Sequence, residues 1–212
     1  MQQLDIQLTR DRVAAELRRS ILTGSLPPRG VITQDHIAEM LGVSRMPVRE
    51  ALQLLASEGL ITMHPNKAAV VNEISEKYIR DHFEIRSMLE EEAVARACAN
   101  SVPEEMVEVQ KLTEEAIRDN DYTLFNTCNQ KMHRLFWKSS GNIKLELLLS
   151  QMWNGMFVDR SIMKHAKLST QEHQMMIDCI VRRDPEKARA IMHQHLMRSM
   201  QRIIDKNFAS QK

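Results

Sequence analysis

The sequence predicts a mainly α protein: short helices and one small β-hairpin at the N-terminal end, then an all-helical bundle of six or seven helices. Three observations carry this. Glycine and proline are scarce, at six each in 212 residues, which leaves few turns for a sheet protein. Apolar residues recur at helical spacing through everything after Ser75. A β pattern shows in a single place, where Leu60–Met63 and Ala69–Val71 flank the turn-like run His64-Pro65-Asn66-Lys67.

The elements follow in order. From about Thr9 to Thr23, Val13, Leu17 and Ile21 repeat every four residues, which makes an amphipathic helix. The Gly/Pro-rich run Gly24–Gly30 ends it. Thr33 can N-cap the next helix, because its hydroxyl can accept a free N–H of the first turn. Ile37, Ala38 and Leu41 share one face of that helix, and Gly42 stops it. Ser44 caps a second, longer helix, and Pro47 is tolerated in its first turn. Val48, Leu52 and Leu55 point inward. Ser44, Arg45, Met46 and Arg49 are left on the outer, N-terminal side, where a recognition helix meets bases and phosphates in the major groove. A plain helical hairpin with exposed arginines is the alternative; the turn, the proline position and the paired arginines favour DNA binding.

The run GVSRMPVREALQLLASEGLI (Gly42–Ile61) resembles the winged helix-turn-helix of the GntR family of bacterial transcription regulators. The shared features are a small residue and arginine, proline, then arginine-glutamate-alanine-leucine, closing on glutamate-glycine-leucine. Gly-x-Leu-x-Pro-x-Gly at Gly24–Gly30 is a second such feature, and Arg29 within it is a candidate phosphate contact. The hairpin is then the wing, with Asn66 and Lys67 at its tip suited to the minor groove or its phosphates. The family usually carries arginine-glycine where this chain has Lys67-Ala68, so the charge is kept and the glycine is not.

Composition bounds the function. The net charge is +1, so DNA affinity must come from a local face. This balance argues against a sequence-independent architectural DNA protein. Cys98, Cys128 and Cys179 are widely spaced and read as reduced thiols. The N-terminus lacks the apolar core of a signal peptide, and no run approaches the ~20 apolar residues of a membrane span. A soluble, cytoplasmic protein is expected, with no membrane partner. The boundary between the parts falls near Asn72–Glu76, giving a DNA-binding domain over 1–74 and an all-helical domain over 75–212.

In the second part, helices are expected at about Glu76–Asn100, around Met106 to Ile117, at Tyr122–Ser139, as one long helix at Leu145–Met163, at Thr170–Arg182 and from Pro185 to about Ile204. Asn129 and His133 stack one turn apart on a face shared with Phe125, Met132 and Phe136. His173 and His195 also lie on apolar stripes. A buried imidazole needs a hydrogen-bond partner or a metal. Three aimed into one bundle can build a divalent-metal site, whereas core or surface histidines that never meet are the alternative, since sequence gaps say nothing of distance.

This region resembles the FCD ligand-binding domain of the FadR branch of the GntR family. Arg86 to Glu90 matches the arginine-x-x-x-glutamate of its first helix, NQKMHRLFWKSSGN its aspartate-x-x-phenylalanine-histidine helix, and His173 and His195 its two later histidines. The resemblance implies that Asn129, His133, His173 and His195 hold a divalent cation such as zinc, nickel or manganese. It also implies that a small carboxylate sits nearby, with Arg86 and Arg160 as candidate partners. Asn129 stands where the family usually has aspartate and brings no negative charge. The i,i+4 pair Arg86–Glu90 could equally be a plain salt bridge. The expected function is a DNA-binding transcription regulator, a repressor as the commoner outcome, whose operator affinity responds to a metabolite bound in the helical domain. A homodimer would place two recognition helices about 34 Å apart on a palindromic operator. A metal-dependent hydrolase is the rival reading; no convincing general base can be named for it, so no enzymatic activity is expected.

Overall fold

The computed structural model describes residues 9–21, 24–65, 68–153 and 163–208 in full, and the backbone alone at 22 and 160–162. Asn66 and Lys67 lie outside the described residues, as does the side chain of Arg160. The chain divides into two compact units, the first running to Ser75 and the second starting at Glu76.

In the first unit α1 spans Thr9–Leu22. Its Val13, Leu17 and Ile21 stripe is buried, as the four-residue repeat requires. The turn that follows needs Gly30, because a Cβ there would lie 2.8 Å from the Pro27 carbonyl oxygen. α2 spans Gln34–Leu41 and α3 Arg45–Ser57. Thr33 does cap α2, its hydroxyl accepting from the His36 N–H at 3.3 Å, and Gly42 closes it in the left-handed conformation at φ 63°. Ser44 occupies the N-cap of α3 but makes no side-chain cap bond; its hydroxyl is exposed. Val48, Ala51, Leu52 and Leu55 are fully buried beneath that helix.

The hairpin is β2 (Ile61–Met63) with β3 (Ala68–Val71). A third strand, β1 (Val31–Thr33), adds to it in the antiparallel order β1-β3-β2, with Val31 opposite Val70. Three residues are too few to show a period of two, so β1 was not legible from its own sequence. Arg18 is 3% exposed and forks onto the Glu58 carboxylate at 2.6 and 2.9 Å, tying α1 to the end of α3. The glutamate of the glutamate-glycine-leucine run therefore has a structural job: it accepts a buried guanidinium.

In the second unit the helices are α4 (Glu76–Ala97), α5 (Glu104–Arg118), α6 (Tyr122–Ser139), α7 (Ile143–Trp153), α8 (Ala166–Arg182) and α9 (Pro185–Phe208). Asp121 caps α6 by accepting from Leu124 N–H at 2.9 Å. The expected single long helix over Leu145–Met163 is not one helix: α7 runs to Trp153, and Arg160–His165 is a 3-10 helix that leads into α8. Apolar content alone carried that expectation across Asn154-Gly155, a pair that favours a turn. α4 packs chiefly on α9 and α6, α5 on α6, and α8 on α9. All three cysteines are free and buried. Among the described residues no helix is long and apolar enough to cross a membrane.

Candidate functional sites: an exposed recognition helix and a buried histidine cage

In the first unit the outer side of α3 carries the predicted residues. Arg45 is the first residue of the helix and pairs with Asp35 of α2 at 2.7 Å, both largely exposed. Met46 is 63% exposed, Pro47 half-buried, and Arg49 exposed with no ion pair among the described residues. The α3 N-terminus thus presents cationic side chains beside its unpaired N–H groups, an arrangement that attracts phosphate. An exposed Arg45–Asp35 pair is weak and gives way readily to a phosphate oxygen. Arg29 adopts φ 65°, its side chain 86% exposed and 3.6 Å from Glu73.

In the second unit the helical period brings three histidines together from three helices. His133 of α6, His173 of α8 and His195 of α9 each offer a ring nitrogen, all within 4.8 Å of one another. They are 1%, 1% and 3% exposed. The Nε2 atoms of His133 and His195 stand 3.2 Å apart. The outer nitrogens are anchored. His133 Nδ1 meets Glu90 Oε2 at 2.5 Å, and His195 Nδ1 meets Glu172 Oε2 at 2.7 Å. An Nδ1–H held by a carboxylate fixes the tautomer and turns the Nε2 lone pair inward, as outer-shell carboxylates do at metal sites. His173 differs: both its ring nitrogens are buried and neither has a hydrogen-bond partner.

Each carboxylate has its own cation. Glu90, fully buried, accepts from Arg86 Nε at 2.6 Å and from Trp137 Nε1 at 2.9 Å. Arg198 reaches Glu172 through Nη2, and through Nε at 3.2 Å. Burial alone would raise the Glu90 carboxyl, yet Arg86, His133 and Trp137 outweigh it and hold it well below the usual carboxylate range. Glu172 is lowered too, the bonds from His195 and Arg198 overcoming its burial. Burial pushes His173 well below the ordinary imidazole value, helped by its two histidine neighbours and Arg198. Burial likewise brings His195 down to about 4, against the upward pull of Glu172. The last two imidazoles are therefore neutral near pH 7, with lone pairs to give.

The donor set fits a divalent cation. Imidazole nitrogens suit zinc and nickel, and two orphaned nitrogens on a buried ring are otherwise hard to account for. Asn129 is buried on α6 one turn before His133. Trp153 at the end of α7 lies over His133, ring centroids 4.6 Å apart. The Arg86 guanidinium lies 4.1 Å over the Trp153 ring. His193, two residues from His195, stays outside the cage and pairs with Glu91 at 2.8 Å.

Sequence reading missed Glu172 and Arg198. Glu172 is adjacent to His173, so a helical wheel turns it away from that histidine, and only α9 packing on α8 gives it to His195. Arg198, three residues after His195, was legible as a same-face neighbour. Glu90 was seen as a partner of Arg86 but not of His133.

Residues 9–71 match the bacterial regulatory proteins of the gntR family, and residues 81–198 match the FCD domain. The chain is 30% identical over 145 residues to the HTH-type transcriptional regulator McbR of Escherichia coli (strain K12), covering 67% of this chain and 66% of that protein. It is 26% identical over 211 residues to the gluconate operon transcriptional repressor of Bacillus subtilis (strain 168), covering 92% of this chain and 83% of that one. The solved structure of E. coli McbR/YncC shares the fold at a TM-score of 0.74 and 22% identity, over 95% of this chain and 99% of that one. These relatives and families are transcription regulators rather than enzymes. The helix-turn-helix followed by a helical FCD domain is thus a shared architecture, and the chain belongs to the GntR family of bacterial transcription regulators with an FCD effector-binding domain, the FadR-type arrangement.

Proposed function

We propose that this chain is a repressor whose operator binding is modulated by a small carboxylate held at a metal-containing site in its helical part. The observation that carries the reading is the buried three-histidine cage in a chain that also bears a recognition helix. Residues 1–74 act as the DNA-binding domain and residues 75–212 as the effector-binding and dimerisation domain. A homodimer reads a palindrome, two α3 helices entering successive major grooves. Exposed Ile143, Leu147 and Leu148 along α7 support a second copy as partner. Arg45 and Arg49 take base edges or phosphates; Ser44, Met46, Pro47 and Thr33 line the same end of the motif; Arg29, Asn66 and Lys67 serve the flanking phosphates or minor groove. The gluconate operon protein of B. subtilis, a repressor by name, supports the sign. The absence of a membrane-crossing helix among the described residues and the DNA target support a cytoplasmic location.

His133, His173, His195 and Asn129 hold the divalent cation: zinc, nickel or manganese. Such a cation supplies a Lewis-acidic centre for a carboxylate oxygen. Glu90 and Glu172 orient two of the imidazoles, Trp153 covers His133, and Arg86 and Arg160 are the candidate partners of the effector's carboxylate. Effector binding shifts the balance between arrangements of the dimer, and with it operator affinity. Genome-wide footprinting of the bound DNA, followed by gel shifts on the recovered site with metabolites of the neighbouring genes, tests the reading. Release of the operator by one of them is expected, with His133→Ala deaf to it and low in metal. A purified protein that contains no metal and takes up neither zinc nor nickel removes the metal from the proposal.

A further inference from the structure

The three imidazoles are buried, so nothing reaches them from solution until their wall opens. Of the side chains that pack on His133 or bond to Glu90, Arg86 and Trp153 are the most exposed, at 8% each. These two lie against one another, with the guanidinium 4.1 Å from the indole centroid. The same indole lies over His133. Trp153 therefore covers at once an imidazole of the cage and the guanidinium offered to an effector carboxylate. Arg86 has one edge on Glu90 and one face under the indole. The two tryptophans of the site differ in what holds them. Trp137 is fully buried inside α6, and its Nε1 donates to the fully buried Glu90 carboxylate at 2.9 Å. Trp153 is the last residue of α7. With the Gln130 amide oriented so that its oxygen faces its two donors, that oxygen accepts from Trp153 Nε1 at 3.1 Å and from exposed Arg134 at 3.2 Å. The other contacts of Trp153 are ring contacts, with Arg86, His133 and, edge-on at 5.7 Å, Trp137. Swinging the indole out leaves every ion pair of the cage in place, because Glu90 keeps both Arg86 and His133. Moving Trp137 instead would strip a donor from a buried carboxylate, a far costlier change.

We propose that Trp153 is the gate of the cage: seated as here, its indole shuts the imidazoles off from solvent and masks Arg86, and its rotation away from the cage opens both together. What the gate admits rests on the effector reading above; the gate itself does not. The closed arrangement is self-inhibiting. A carboxylate that bonds to Arg86 has to displace the indole from the guanidinium, so the ring contacts of Trp153 are set against the ligand's own. The cage and its arginine are thereby exposed by one movement at the end of one helix, with the Arg86–Glu90–His133 chain as its fixed frame.

The test is chemical accessibility in full-length, metal-stripped protein, read peptide by peptide by mass spectrometry. Diethyl pyrocarbonate acylates neutral imidazoles, and His173, both of whose ring nitrogens lack a partner, is its target in the cage. Methylglyoxal reports the Arg86 guanidinium. Acylation of His173 in the wild type should be at least about tenfold slower than that of the exposed His193. Trp153→Ala should speed it about tenfold, and Trp153→Phe, which keeps a ring and loses the bond to Gln130, about threefold. Modification of Arg86 should rise in step. Cys98, Cys128 and Cys179 are buried, and their reaction with a thiol reagent reports general loosening; it should stay as slow as in the wild type. Equal His173 rates in the wild type and both variants overturn the gate. Thiols that speed up as much as His173 overturn it too, since the substitutions then loosen the whole bundle. An Arg86 that stays unreactive while His173 opens overturns the shared cover. No metal and no effector enters the measurement, so the gate can fail while the metal reading stands, and the metal reading can fail while the gate stands.

Discussion

Arg49 and His133 each sit on one face of a helix, yet the regions they belong to are built on opposite terms. Around Arg49 the side chains are exposed, and the ion pair nearby, Arg45–Asp35, is open to solvent. Around His133 the polar groups are buried and, His173 apart, tied to one another: His133 to Glu90, Glu90 to Arg86 and Trp137, His195 to Glu172. An exposed site can change one residue without disturbing its scaffold, because water takes over the lost contact. A buried polar network cannot, because each member is the only solvent its neighbour has. The motif is therefore tunable in specificity, and the cage is fixed as a unit.

The sharpest way to break this contrast is Glu90→Ala. It strands the buried Arg86 guanidinium and removes the acceptor of both His133 and Trp137. Unfolding in urea should show a loss of about 3–5 kcal/mol. A loss below ~1 kcal/mol, the level of an exposed pair, would mean the network is not the unit described.

Proton linkage gives the next effect. The folded-state value of His195 is lowered from 6.5 to about 4. The unfolded chain then binds more protons between those pH values. Stability from this group is fully present above pH 6.5 and falls as the pH drops toward 4, by on the order of 3 kcal/mol. His173 acts in the same direction. Chelator-treated protein followed by thermal melts across pH 4–7 checks this; stability that increases toward low pH contradicts it.

On the other side of the comparison, Arg49→Ala should cost about 1–3 kcal/mol in operator binding and stay within ~0.5 kcal/mol of wild type in folding stability. Wild-type affinity in a gel-shift titration would remove the recognition-helix assignment. The smallest effect belongs to Thr33→Ala, which deletes the cap of α2 and should lower stability by about 1 kcal/mol. Its melting curve against that of Thr33→Ser, which keeps the hydroxyl, isolates the cap.

Much of this was legible in order along the chain. Thr33, Gly42, Pro47 and the arginines form a contiguous motif whose local rules of capping and spacing act within a few residues. The apolar stripes of α1, α3, α6, α8 and α9 likewise follow from helical period. What was not legible depends on distant pairing or on a local change of pitch. β1 exists because Val31 finds Val70. Arg18 is buried because Glu58 accepts it, forty residues on. The expected helix over Leu145–Met163 ran across Asn154-Gly155, a turn-favouring pair that its apolar content outweighed.

By itself, then, the sequence determined which faces are inward, where the helices of the motif start and stop, and that three histidines and an asparagine sit on buried stripes. Those properties follow from side-chain chemistry repeated at 3.6-residue spacing, which each segment expresses alone. Only the tertiary structure decided that the three imidazoles converge within 4.8 Å, that Glu90 and Glu172 stand behind two of them, and that Arg86 and Arg198 cancel those carboxylates. Distances between helices are set by how whole faces pack, and the long stretches of intervening chain leave no trace of them in composition or period. Electrostatic function in the cage is a property of that convergence, so it had to be read from the fold.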